Sequence, residues 1–327
     1  MSPTSPPFAL GTFSAGPTAF AGLVRDGRVA DLTDSGGALG LPAGPVTVRL
    51  ILDHWDEVAP RLATLADAAT HWQPVADLDV RAPFEPRQIY QSGANYRTHV
   101  IDLHLAHPEA WKVATRDEAR VEAEQMMDER IAHGTPYLFI GLHSAIAGPH
   151  DDLVLPGYSN QHDWELELAA VIGRPGFRIR REDALDHVAG YTIANDITTR
   201  DLVFRRDLAA IGTDWFRAKN AVGFTPLGPY IVPAPFVTDP MDLRITLTLN
   251  GQVMQDESTA DMIFDVARLI EAVSAIAPIA PGDLLLTGSP AGNGITFGRC
   301  LRDGDVMEGT ITGLGTQRTR AVAEVTR

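Results

Sequence analysis

Along the C-terminal two-thirds of the chain, apolar and polar positions recur with the two-residue period of strands more often than with the 3.6-residue period of helices. LFIGLHSAIAGP, WELELAAVIG, VAGYTIAND, GPYIVPA, LRITLTLNGQVMQ, DLLLTGSP and VMEGTITGLG read as strands, with Gly, Pro, Asn and Asp between them. Asp26-Gly27, inside FAGLVRDGRVADL, and Asn250-Gly251 are hairpin turn signals. Helical periodicity marks three segments. VRLILDHWDEVAPRLATLADAATHW is expected to break into two helices at Pro60. The Ala-, Glu-, Arg- and Met-rich stretch from Pro108 to Gly134 reads as an exposed helix, either a plain surface element or a lid. DMIFDVARLIEAVSAIAP reads as an amphipathic helix closed by Pro278. Arg81 to Pro86 reads as a linker, which places a boundary near residue 85 between a small N-terminal unit, 1–85, and a larger one, 86–327. Mostly strands, few helices and no regular βα alternation predict an α+β, mainly β fold and argue against a doubly wound nucleotide-binding sheet.

One strand raises a question of charge. In DWELELAAVIG, Glu165 and Glu167 share one face, their anchor points about 6.5 to 7 Å apart, while Trp164, Leu166 and Leu168 share the other. The apolar run from Leu168 to Ile172 carries the strand into a core. Two carboxylates beside a core repel each other and resist desolvation unless a cation lies between them. An edge strand with one wetted face is the other reading of this spacing.

Composition narrows the partners. The 327 residues hold 27 basic and 42 acidic side chains, a formal net charge of −15 that disfavours nucleic acid and anionic membranes. A single cysteine, Cys300, excludes an intrachain disulfide and a thiolate zinc site and fits a reducing cytoplasm. The opening MSPTSPPFALGTF lacks the basic n-region of a signal peptide, and no uncharged apolar run approaches about 20 residues. A soluble protein is expected.

Further polar residues gather in four places. In GYTIANDITTRDL a strand ends at Asn195-Asp196, so Asp196 could join Glu165 and Glu167 as a third hard oxygen ligand for Mg²⁺ or Mn²⁺, or serve as a turn residue. Lys219 lies in RAKNAVGFTPLGP. TGSPAGNG has glycines at 288, 292 and 294 that let backbone N–H groups approach an anion, yet it matches neither a P-loop nor a dinucleotide fingerprint. His99 and Asp102 share one side if their stretch is helical, a pair able to orient an imidazole or simply a surface pair.

GANYRTH, DWELELAAVIG, GYTIANDITTRDL, AKNAVGFTPLGPYIV, LNGQVMQ and PGDLLLTGSPAGNG occur in the order and approximate spacing of the fumarylacetoacetate hydrolase family, which the chain resembles over roughly residues 88 to 320. The resemblance implies a mixed β-sandwich or roll, often homodimeric, with a small N-terminal accessory domain. It implies that Glu165, Glu167 and Asp196 hold Mg²⁺ or Mn²⁺, and that a 2-oxo or β-diketo acid is the substrate. His99 and Asp102 would activate water, with aspartate where glutamate is usual; Lys219 would stabilise negative charge; Tyr96, Arg200, Thr287 and Gly288 would meet the substrate. The implied reaction is metal-dependent C–C bond hydrolysis of an acylpyruvate-like acid. Decarboxylation of an oxaloacetate-like acid, hydration of a 2-oxo-alkenoate and tautomerisation at the same metal are the alternatives, and a non-catalytic metabolite binder a third class. Three positions depart from the family: a lysine falls on Gly141, a glutamine on Val203 and an aspartate on Val222. If all three line the pocket, it is less polar than usual and takes a larger apolar or aromatic acyl group.

Overall fold

A computed structural model describes residues 6–106, 108 and 111–325. Residues 1–5 of the stretch read against a signal peptide, and 109–110 of the segment expected to be helical, lie outside it. The fold is α+β, mainly β, and three sheets carry it. An N-terminal sheet of five strands has the order Gln73–Pro74, Arg28–Asp31, Ala19–Arg25, Ala9–Ser14, Asp79–Val80. The central sheet has six: Val232–Pro233, Val188–Asn195, Leu166–Ile172, Leu284–Leu286, Ile89–Gly93, Tyr137–Gly141. A third, of five strands, runs Gln252–Ser258, Arg244–Leu249, Val306–Ile311, Gly315–Ala323, Leu153–Leu155.

The central sheet is buried on both faces. Leu168, Ala170 and Ile172 join the core that holds Ile245, Leu247 and Met307 of the third sheet. Ala169 and Val171, pointing the other way, join Leu52, Trp55 and Leu62 of the N-terminal helices. Two covered faces explain why LAAVI carries no polar position, and every residue of Leu166–Ile172 is buried. Because this strand lies inside the sheet, the reading of DWELELAAVIG as a wetted edge does not hold.

Both turn signals form hairpins. Asp26 and Gly27, and again Asn250 and Gly251, take the positive φ angles that a two-residue turn with primed geometry requires. The N-terminal helical segment differs from expectation: it breaks at His54, between Val48–Asp53 and Trp55–Ala68, and Pro60 lies within the second helix. One backbone hydrogen bond lost at Pro60 is outweighed by the burial of Val58, Leu62 and Ala66 on either side of it. The helix Arg116–His133 opens with a capping box of Thr115 and Glu118 and packs against the helix Arg97–Ala106. Val266–Ile276 starts at the N-cap Asp265, whose side chain accepts from the Arg268 N–H, and buries Leu269, Ile270 and Val273.

Candidate metal centre

The site is built at one end of the central sheet. Leu166 pairs with Asn195 and Glu167 with Ala194. Just past that pairing the Asp196 N–H donates to the Glu165 carbonyl at 2.9 Å. The Asn195 side chain accepts from the Glu165 N–H at 2.9 Å, so Glu165 is fixed although it lies one residue before the strand. This register brings one carboxylate oxygen each of Glu165, Glu167 and Asp196 within 4.8 Å of one another, all three buried. Three hard oxygen donors at that separation suit a small divalent cation such as Mg²⁺ or Mn²⁺.

Two cations face this cluster. Lys219 ends the short helix Trp215–Lys219 and is 3 % exposed; its Nζ donates to Glu165 Oε2 at 2.6 Å, to Thr198 Oγ1 at 2.8 Å and to Asp196 Oδ2. Arg200 donates through Nε to Asp163 Oδ2 at 2.7 Å, and its Nη2 lies 2.7 Å from Glu165 Oε1. Asp163 also accepts from the Trp164, Gly294 and Ile295 N–H groups. Four buried carboxyls therefore meet two full positive charges, and with all four ionised two negative charges would be left uncompensated.

The titration of the cluster reflects that deficit. Burial, with Asp196 beside it, pushes the Glu167 carboxyl well above the usual carboxylate range. Burial also raises Asp196, to about 6, against the pull of Lys219. Burial would raise Glu165 too, but Lys219 and Arg200 outweigh it and hold it at about 2. Burial works against the charge on Lys219, yet Asp196, Glu165 and Glu167 raise its pKa above the usual value. A cluster short of positive charge, made of hard oxygen donors, fits a divalent cation.

His99 and Asp102 lie on the helix Arg97–Ala106. Burial, with Arg200 and Lys219 nearby, lowers His99 to about 4 against the pull of Glu165, so the imidazole is neutral at pH 7. Its Nδ1 has no hydrogen-bond partner, and Asp102 forms no ion pair with it. Burial raises the carboxyls of Glu257 and Asp261, and the negative charge of nearby Asp102 adds a smaller push to each. The i, i+3 spacing puts the two residues on one side of the helix, but no hydrogen bond or ion pair joins them.

The expectation for the Thr287-Gly288 turn is also revised. The Gly288 N–H donates to Glu167 Oε2 at 2.7 Å, and the Thr287 hydroxyl donates to the Leu168 carbonyl at 2.9 Å. Both donors are thus engaged in holding Glu167 and its strand and are not free for a carboxylate. Gly288 has φ +93°, and a Cβ there would come within 2.9 Å of the Asn95 side chain, so the turn needs glycine. Tyr96 is fully buried with an unpartnered hydroxyl, and burial pushes its phenol well above 10.

Three further residues were not picked out as site residues by sequence. Asn95 ties the Thr287 and Phe264 carbonyls through its amide and accepts from the Phe264 N–H. Asp163 anchors Arg200 and the turn at Gly294. Gln91, buried in the strand Ile89–Gly93, donates to Asp196 Oδ1 at 2.7 Å. Its signal is an amide in the strand segment IYQSG, a type of residue that rarely enters a core strand without a polar partner. Of the three departures, Gly141 lies beside Gln91, Val203 is buried, and Val222 is 78 % exposed and so lines no buried pocket.

The model of the fumarylacetoacetate (FAA) hydrolase C-terminal domain matches residues 88–322, a span that holds all of these groups. The chain belongs to the fumarylacetoacetate hydrolase family. Among relatives, it is 36 % identical over 275 residues to 2,4-didehydro-3-deoxy-L-rhamnonate hydrolase of Sphingomonas sp. (strain SKA58), covering 80 % of this chain and 85 % of that one. It is 42 % identical over 183 residues to the human mitochondrial oxaloacetate tautomerase FAHD2B. That match covers 55 % of this chain and only 57 % of the human protein's length. The crystal structure of maleylpyruvate hydrolase from Sphingobium sp. SYK-6, in complex with manganese(II) and pyruvate, superposes with a TM-score of 0.73 at 25 % identity, covering 97 % of this chain and all of that one.

Proposed function

We propose that this family member is a divalent-metal-dependent hydrolase that cleaves a C–C bond in a β-diketo acid of the acylpyruvate kind. The observation that carries the reading is the buried Glu165–Glu167–Asp196 cluster with a neutral, unpartnered His99 imidazole in its field. In this reading Glu165, Glu167 and Asp196 hold Mg²⁺ or Mn²⁺, as the manganese complex of maleylpyruvate hydrolase supports. When bound, the ion supplies a Lewis acid and a template for the adjacent oxygens of a 2-oxo acid.

The protein's own residues supply the rest. Neutral His99 takes a proton from the water that attacks the distal carbonyl and returns it to the carbon that leaves. The Lys219 ammonium, held charged by its carboxylate neighbours, lies where negative charge develops. Arg200, anchored on Asp163, keeps Glu165 ionised and oriented. The Phe139 and Trp215 rings stack at 4.9 Å, with Lys219 Nζ 5.7 and 5.6 Å from their centroids. That aromatic wall favours an apolar or aromatic acyl group. Exposed Phe204, Ile211, Phe216 and Val222, on the stretch around Lys219, fit a subunit contact in a homodimer. A single Cys300 fits the cytoplasm, although the human relative is mitochondrial; among the described residues no helix is long and apolar enough to cross a membrane.

A second reading, keto–enol tautomerisation of an oxaloacetate-like acid, is favoured by the unformed His99–Asp102 pair. Moving one proton between carbon and oxygen needs a base but no oriented water. The test follows the enol absorbance of acylpyruvates and of oxaloacetate with Mg²⁺, Mn²⁺ or EDTA, with product analysis. EDTA-sensitive release of two acids supports hydrolysis. Accelerated enol loss from oxaloacetate without new products assigns the tautomerase, and pyruvate with CO₂ the decarboxylase.

A further inference from the structure

Gln91 and Gly141 sit on neighbouring strands and form a complementary pair. Ile89–Gly93 and Tyr137–Gly141 run antiparallel with Ile89 opposite Gly141, so Ile89, Gln91 and Gly141 share one face. A Cβ on Gly141 would lie 3.0 Å from Gln91 Oε1 and 3.2 Å from Ile89 Cγ2, so a side chain at 141 would press on the Gln91 amide and shift it. Gln91 uses that space to donate from Nε2 to Asp196 Oδ1 at 2.7 Å, while its buried Oε1 has no partner. A core amide with one unsatisfied oxygen is costly, and the strand keeps it on the far side of the carboxylate from Lys219.

We infer that Gln91 is the positioning residue for Asp196, delivering a neutral hydrogen bond across the space that glycine at position 141 leaves beside it. The inference rests on the metal-centre reading above. A lysine there would add a third positive charge to a cluster whose uncompensated charge attracts the cation. An amide fixes the carboxylate without taking up that charge. Outer partners of ligating carboxylates typically carry about 10–100-fold of metal affinity.

The test is Mn²⁺ titration of EDTA-stripped full-length protein by calorimetry, with a thermal melt of each stripped variant as the control for folding. Gln91→Met, which keeps length and packing but has no donor, is expected to bind Mn²⁺ about 10–100-fold more weakly with little change in the melt. Gly141→Lys is expected to weaken binding in the wild-type background by displacing Gln91. In the Gln91→Ala background the same substitution should weaken binding less, because the space is free. Wild-type affinity in Gln91→Met, or equal losses from Gly141→Lys in both backgrounds, overturns the inference while leaving the metal reading intact. Failure of the wild-type protein to bind Mn²⁺ overturns the metal reading, and this inference with it.

Discussion

A histidine with a pKa of about 4 is an unusual resource at neutral pH, because it is a base that is never lost to protonation there. His99→Ala is expected to lower kcat by about 10²–10⁴-fold while leaving Mn²⁺ affinity within a factor of a few, since His99 is not among the clustered carboxylates. Loss of Mn²⁺ binding in that variant, or retained turnover, would refute the role. Asp102→Asn should change kcat far less, because Asp102 does not hold the imidazole. The carboxylates make a second prediction. Asp196 titrates at about 6 before a cation binds, and Glu167 is raised as well, so protons compete with the metal for the same oxygens. Ligation needs the ionised form, so affinity is present above this value and lost as pH falls through it. Mn²⁺ affinity should then drop on the order of tenfold per pH unit for each proton displaced. A flat affinity between pH 7 and 5 would contradict the assignment.

Among the elements, the central strands show what sequence reveals and what it hides. Gly190 packs so closely that a Cβ would lie 2.4 Å from the Val232 carbonyl oxygen of the neighbouring strand. Gly190→Ala is expected to destabilise the protein by about 1–3 kcal/mol through overpacking, read as a lowered midpoint in urea. The shared face of Glu165 and Glu167 is legible in DWELELAAVIG because a strand's period is local. The approach of Gln91 to Asp196 is not, because it depends on two strands, 105 residues apart, being brought into the same sheet. The break at His54 also escaped the pattern. Proline marks a weak point in a helix, but the tertiary burial of Val58 and Leu62 decides whether the helix yields there. His99 and Asp102 show another limit: helical spacing settles which side of the helix they share, but not whether their side chains meet.

For the whole molecule, the boundary near residue 85 is better treated as a change of role than as a seam. Leu10 exchanges backbone hydrogen bonds with Ile231, and the helices of the N-terminal unit share one core with Ala169, Val171, Leu284 and Leu286 of the central sheet. Residues 1–85 are therefore proposed as an accessory unit whose work is to cover that sheet. A fragment of residues 86–327 should bare this face and fail to melt cooperatively in soluble form; a soluble fragment with the full-length melting temperature would show the two units to be independent. Sheets buried on both sides leave evolution little room, since most exchanges in Leu166–Ile172 meet a core whichever way they point. Freedom lies in the segments that lean over the carboxylate end from outside the sheet, Arg97–Ala106 and residues 200–219. A library meant to redirect this scaffold to a new acid belongs in those two stretches, with His99, Arg200 and Lys219 kept, and one placed in the strands would mostly return unfolded chains.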